Sequence, residues 1–347
     1  MPDLKTLLRA FFTLVAAALA GFVLDASGLP LGWLVGAMKV MIFASLLKLP
    51  AVQPTPLLPY VRGAVGTMLG ASITPGFIQS FGTWWPSLLV MCAVMLAGGL
   101  ANYQTLRRFF LFPRTDAALC SMPGGIAEMI ILGEQAGADQ RRVAIVHALR
   151  IALSILIIPV LAGTVFGITV SKSGALPDVY MSIPDWLWFA ACVLAGIAAS
   201  LWTRLPAPLI LVPLLASAGL HLSEVSSFHV PPIVSQTVQV MIGINVGARF
   251  MGFLPRELAR VAISAVSVVA IQIGFALAAA FTVSKAFQWD ALALLLAYSP
   301  GGLAEMSLIA ITMGREVAFV AFHHILRVLT ALLLAPQILS RLKGASE

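Results

Sequence analysis

Ten mostly apolar runs follow one another along the 347-residue chain, at about 7–24, 31–49, 57–74, 84–101, 143–168, 186–202, 207–222, 233–250, 260–283 and 317–340. A helix rises 1.5 Å per residue, so roughly 20 apolar residues cross about 30 Å of hydrocarbon, and runs near that length predict transmembrane helices. Two further stretches, about 115–136 and 290–313, are long enough to cross but are interrupted by Pro123-Gly124-Gly125 and Pro300-Gly301-Gly302. The expected fold is an all-α polytopic membrane protein with about 10–12 membrane segments. Composition excludes the soluble alternative. Only 10% of residues are charged and 60% are hydrophobic, whereas a soluble chain needs roughly a quarter of its residues charged to cover its surface.

The net charge of +7 does not indicate nucleic acid, because the basic residues form no cluster. Lys5, Arg9, Lys48, Arg107, Arg108 and Arg114 instead stand at the ends of apolar runs, as positive-inside bias and anionic headgroups require. Cys92, Cys120 and Cys192 form no C-x-x-C pair, so neither a disulfide framework nor a thiolate metal site is expected. Ala18-Leu19-Ala20 offers a cleavage site after the first run, but that run is long enough to span and reads as an uncleaved first helix. Trp84-Trp85 and Trp186-x-Trp188 read as interfacial anchors.

Sliding the chain over itself by 177 residues aligns Pro123–Arg150 with Pro300–Arg327 without a gap, and 12 of the 28 positions are identical. The same offset pairs Gly66 with Gly243, Gly70 with Gly247, Ala71 with Ala248 and Pro159 with Pro336. The chain is therefore read as two membrane repeats, 1–172 and 186–341, joined by a linker at 173–185 that contains Pro177 and Pro184. Counting each interrupted stretch as a crossing gives six per half, which implies parallel repeats; a re-entrant stretch would make the number odd and the repeats inverted. Arg249, Arg256 and Arg260 do not decide between them.

A Pro-Gly-Gly interruption at membrane depth frees backbone groups that are costly against lipid, so it must face protein or water. Pro123, Gly124, Gly125 and Pro300, Gly301, Gly302 are accordingly candidate site residues. Glu128 and Glu305 follow in the first turn of the next helix, where a carboxylate either caps free N–H groups or serves as ion ligand, proton carrier or substrate contact. His147 with Arg150, and His324 with Arg327, share a helix face at i,i+3. Each Arg either pairs with the Glu of its half or binds an anionic substrate, with His tuning protonation. Met129 and Met306 read as packing near the site rather than metal ligands, and neither metal nor cofactor is expected. The Gly66-x-x-x-Gly70 and Gly243-x-x-x-Gly247 pairs read as close helix packing, with Asn245 able to hydrogen-bond a substrate.

The duplicated Pro-Gly-Gly-[Ile/Leu]-Ala-Glu-Met motif, followed 18 residues after the methionine by His-x-x-Arg, resembles the AbrB-type family of duplicated bacterial membrane proteins over essentially the whole chain. Members are labelled as regulators of gene expression or as ammonia monooxygenase, and the family is similar to the cation-proton antiporter and anion transporter superfamily. The resemblance implies a multi-pass protein of the bacterial cytoplasmic (inner) membrane. The residues bear on both labels. Ammonia oxidation needs a redox metal, yet the five histidines include a single adjacent pair, so no enzyme is expected. A DNA-binding regulator needs a soluble basic module for which the chain has no room, so any effect on gene expression is indirect. The expected function is secondary transport of a small solute or ion, its site lying between two broken helices. The alternatives are a membrane sensor without net transport and a passive permease. Expected partners are the lipid bilayer and a small ligand, with no direct nucleic-acid binding; homo-oligomerisation is left open.

Overall fold

A computed structural model describes residues 3–73, 82–167, 181–203, 205 and 207–344. The described residues form fourteen α-helices and no strand. In the first half these are α1 (Leu4–Ala26), α2 (Gly32–Leu46), α3 (Leu58–Ala71), α4 (Trp85–Arg108), α5 (Arg114–Ser121), α6 (Ile126–Ala136) and α7 (Gln140–Phe166). The second half has α8 (Ile183–Trp202), α9 (Pro208–Leu222), α10 (Pro232–Ala248), α11 (Pro255–Phe287), α12 (Ala291–Tyr298), α13 (Leu303–Thr312) and α14 (Val317–Gly344). α12, α13 and α14 each start 177 residues after α5, α6 and α7. Most of the expected linker at 173–185 lies outside the described residues.

Six helices, α1, α4, α7, α8, α11 and α14, are long and apolar enough to cross a membrane, while α2, α9 and α13 are shorter apolar helices. The protein is thus an all-α, multi-pass membrane chain. Proline opens many of the helices: Pro86, Pro184, Pro208, Pro232 and Pro255 stand in first turns, where the missing N–H is no loss. Gly137, at φ +71°, closes α6 in the left-handed region that a C-terminal glycine adopts without strain.

The chain divides into two compact units, and each draws helices from both halves. One comprises Met1–Thr83, Gly167–Met251 and Ser307–Ala318; the other comprises Trp84–Phe166, Gly252–Met306 and Phe319–Glu347. In the first unit, α3 packs on α9 and α10 packs on α2. A Cβ added to Gly66 would meet the Ile210 carbonyl, and one added to Gly70 the Leu214 carbonyl. Gly243 and Gly247 stand in the same way against the Leu34 and Met38 carbonyls. These glycines allow backbone-to-backbone contact, as small-residue stripes do where apolar lipid offers helices no hydrophobic drive to associate. Asn245 belongs to this unit, where its Oδ1 accepts from Gln53 Nε2 at 2.8 Å. We expect Gly66→Val or Gly243→Val to cost about 1–3 kcal/mol through forced helix separation, read as a lowered thermal transition of the detergent-solubilised protein. An unchanged transition would mean that the backbones are not in contact.

In the second unit, α11 packs against α4, α7 and α12, and α6 packs on α7. Its apolar core includes Leu106, Leu119, Met129, Val143, Val146 and Val268. Trp84 is 5% exposed and stacks edge-on against Phe319 at 5.0 Å, so the anchor reading fails for Trp84, while Trp85 is 63% exposed. Burying the indole against three side chains of α14 outweighs placing it among headgroups.

Candidate functional site

The Pro-Gly-Gly sequences end one helix and start the next. α5 stops at Ser121 and α6 begins at Ile126, while α12 stops at Tyr298 and α13 begins at Leu303. Sequence length alone suggested two crossings here, but the first is a hairpin. The Asp139 N–H, just beyond α6, donates to Asp116 Oδ1 at 3.1 Å, and Asp116 sits in the first turn of α5. Arg142, in the first turn of α7, closes the base by an ion pair to Asp116 at 2.6 Å and lies 5.0 Å over the Phe112 ring. The chain has returned to its starting level. In the second copy, Trp289 before α12 and Phe319 at the start of α14 have ring centroids 6.4 Å apart, so the chain again comes back.

Two glycines are needed because two side chains of the following helix fold back over the turn. A Cβ on Gly124 would strike the terminal methyl of Met129, and one on Gly125 would strike the Glu128 carboxylate. Gly301 and Gly302 receive Met306 and Glu305 in the same way. Met129 and Met306 are fully buried, which agrees with the packing reading. Glu305 is 5% exposed and Glu128 is half-buried. Each carboxylate lies at the N-terminal end of its helix, where unpaired N–H groups leave about half a positive charge.

The arginines serve the opposite helix end. Arg150 Nη1 donates to the Met122 carbonyl and Nη2 to the Gly124 carbonyl, both at 2.9 Å. Arg327 donates from the same two nitrogens to the Ser299 and Gly301 carbonyls. The guanidinium therefore caps the C-terminus of α5 or α12 and the carbonyls freed by the interruption, with a planar fork suited to two acceptors. His147 Nε2 donates to the Leu119 carbonyl at 3.1 Å, and His324 Nε2 donates to the Leu296 carbonyl at 2.9 Å. A carbonyl only accepts, so each imidazole carries its proton on Nε2. Both histidines are fully buried, and Arg150 and Arg327 are 2% and 4% exposed. Successive bonds from α7 reach residues 116, 119 and 122 from residues 142, 147 and 150, so α5 and α7 run side by side in the same direction.

The second unit thus brings together Pro123, Gly124, Gly125, Glu128, Met129, His147 and Arg150 with Pro300, Gly301, Gly302, Glu305, Met306, His324 and Arg327. Asn245 is not among them. Pro123 and Pro300, one from each copy, line a single cavity of ≈ 20 Å³ together with Gln272, Tyr298 and Arg327. It has room for one water-sized group. Gln272, 7% exposed, donates through Nε2 to the Ser121 carbonyl at 3.4 Å, while its Oε1 has no hydrogen-bond partner; Arg327 Nε is likewise unpartnered. A larger apolar cavity of ≈ 420 Å³ adjoins, lined by Met95, Gly99, Met122, Pro123, Leu334 and Ile338.

Sequence reasoning missed Gln272, Tyr298, Ser87 and His323. Offset pairing could not select them, since Met95, Ser121 and Val146 stand opposite Gln272, Tyr298 and His323. The adjacent pair His323-His324, only one member of which is repeated, was the available signal. Among the described residues no group of three His, Cys, Asp or Glu side chains is placed to hold a metal ion.

Residues 33–343 match the family model described as "Transition state regulatory protein AbrB". The chain is 26% identical over 318 residues to "Putative regulator AbrB" of Escherichia coli strain K12, covering 89% of each chain. It is 22% identical to "Uncharacterized protein YhjN" of Bacillus subtilis strain 168, covering 96% of this chain and 92% of the other. A match of that length over the hairpins, the arginine-capped carbonyls and the glycine-seated glutamates makes this chain a member of the AbrB family.

Proposed function

We propose that the protein is a secondary transporter of a small solute or ion in the bacterial cytoplasmic membrane, and that its site lies where the two hairpin tips meet. The observation that carries this reading is the shared cavity. Its wall holds one proline from each Pro-Gly-Gly copy, an unpartnered buried amide oxygen and an arginine. Non-helical backbone is tolerated at membrane depth only where it is buried in protein or lines a cavity, and opposed half-helix ends are how secondary transporters build ion and solute sites. Two arginines and two glutamates balance in formal charge around the tips, so a proton or cation taken up by a glutamate leaves a net charge for an anionic cargo to offset. Neither a cofactor nor a chemical reaction is required, and no enzyme activity is proposed.

On this reading each hairpin enters and leaves on one side, and counting the shorter helices α2, α3, α9 and α10 as crossings beside the six long ones gives five per half. An odd number makes the repeats inverted, the arrangement used for alternating access.

The test is flux through proteoliposomes that contain a trapped pH-sensitive dye, challenged with small carboxylates, inorganic phosphate, chloride and alkali cations. Glu128→Gln with Glu305→Gln should lower gradient-driven flux by about tenfold or more, as loss of a proton carrier does, while the protein still folds and inserts. Wild-type flux in the double variant overturns the reading. The printed name of the Escherichia coli relative favours a second one, a membrane regulator without transport. That protein would bind one of these probes, gain thermal stability by mass action and pass nothing.

A further inference from the structure

Ser87 on α4, Tyr298 at the end of α12 and His323 on α14 form one hydrogen-bonded chain. Ser87 Oγ lies 2.7 Å from Tyr298 Oη and 2.8 Å from His323 Nε2, and His323 Nδ1 lies 2.8 Å from the Phe319 carbonyl. All three side chains are buried. The last bond orders the rest. The Phe319 carbonyl can only accept, so Nδ1 donates; in the neutral ring Nε2 must then accept, from the Ser87 hydroxyl. Ser87 Oγ in turn accepts from the Tyr298 hydroxyl. Both hydroxyls point toward His323, and Tyr298 lines the cavity between the two hairpin tips.

We propose that His323 is a proton-binding site loaded from that cavity through Tyr298 and Ser87. A hydronium ion or a protonated acid in the cavity gives a proton to Tyr298 Oη as Tyr298 passes its own to Ser87 Oγ. Ser87 passes its proton to the Nε2 lone pair, leaving an imidazolium that still donates from Nδ1 to the Phe319 carbonyl. Three O–H or N–H bonds form as three break, and one positive charge moves from the cavity to the ring. Afterwards Nε2 donates to Ser87 and Ser87 donates to Tyr298, so the chain points the other way until the proton leaves.

The groups that face His323 are few. α4 presents Ser87 and the Trp84 indole, α12 presents Tyr298, and α14 itself carries Phe319, the neighbouring His324 and, one turn on, Arg327. The first copy has Val146 where the second has His323, and Ser121 where it has Tyr298, so proton loading belongs to one hairpin only. The inference uses the cavity assigned above as the transport site but requires no cargo.

Its test is an acid jump on the full-length protein in nanodiscs, read by Trp84 fluorescence. Trp84 lies 6.4 Å from the His323 ring, and an imidazolium quenches indole emission. Subtracting Trp84→Phe isolates the signal. The wild type should quench, and His323→Gln should not. Tyr298→Phe keeps the Ser87–His323 bond but cuts the chain, so it should quench to the same amplitude about tenfold or more slowly, the scale of losing a positioned proton donor. Equal rates in wild type and Tyr298→Phe overturn the path, and absence of quenching in the wild type overturns the site. Neither outcome bears on whether the protein carries a solute, which the flux assay reads separately.

Discussion

Replacing Arg150 or Arg327 with Leu should destabilise the protein by about 3–5 kcal/mol, more than any other single change at the site, because two charge-assisted hydrogen bonds are lost at once. The carbonyls of Met122 and Gly124, or of Ser299 and Gly301, remain inside the protein without their donors. Each unsatisfied acceptor costs its desolvation in full, and in a membrane no bulk water repairs it. Lysine should recover only part of the loss, since one ammonium cannot match two carbonyls with the fixed geometry of a guanidinium. The measurement is the thermal transition of each purified variant in detergent. A leucine variant that melts with the wild type would show that the interruption is held by something other than the guanidinium.

Asp116→Ala should open the first hairpin and leave the second intact. Asp116 is 2% exposed, accepts from the Asp139 N–H and pairs with Arg142 at 2.6 Å. Removing one partner of a buried pair costs about 3–5 kcal/mol, and the value here falls toward the lower end because the Arg142 side chain is 31% exposed and retains Asp139 at 3.6 Å. That loss is local, since the second copy has Ala293 at the matching position and closes its base with the Trp289 and Phe319 rings. Hydrogen exchange read by mass spectrometry should therefore quicken over α5 and α6 and stay unchanged over α12. Uniform quickening over both hairpins would place the pair in the global stability of the unit and not in the clasp.

The sequence carried the membrane class, the interrupted stretches and the residues around them, because apolar length and an exact offset are local signals. Three things were not legible. A stretch of 22 residues, such as 115–136, is long enough for one crossing or for a hairpin. The bonds that Asp139 and Arg142 make to Asp116 distinguish them. The role of Arg150 was framed as pairing with a glutamate or a substrate, since sequence shows side chains and not freed carbonyls. The carbonyls that it serves lie 26 and 28 residues upstream. The Ser87–Tyr298–His323 chain joins residues up to 236 positions apart and has no counterpart at the repeat offset, so neither spacing nor self-comparison could find it. Asn245, singled out by residue type, lies in the first unit, where its Oδ1 accepts from Gln53.

The pairing of α3 with α9 sets an order on how the chain is made. The ribosome completes Gly70 well before Leu214, whose backbone it must touch, and at about 5–20 residues per second the 144 residues between them take on the order of 7–30 s. Throughout that interval α3 presents a bare glycine stripe to the bilayer and has no helix to receive it, while α2 awaits α10 in the same way. Insertion factors that shelter half-packed helices should therefore be held by the nascent first half and released only when α9 and α10 emerge. Separately translated halves should each be degraded alone and rescued when both are made together.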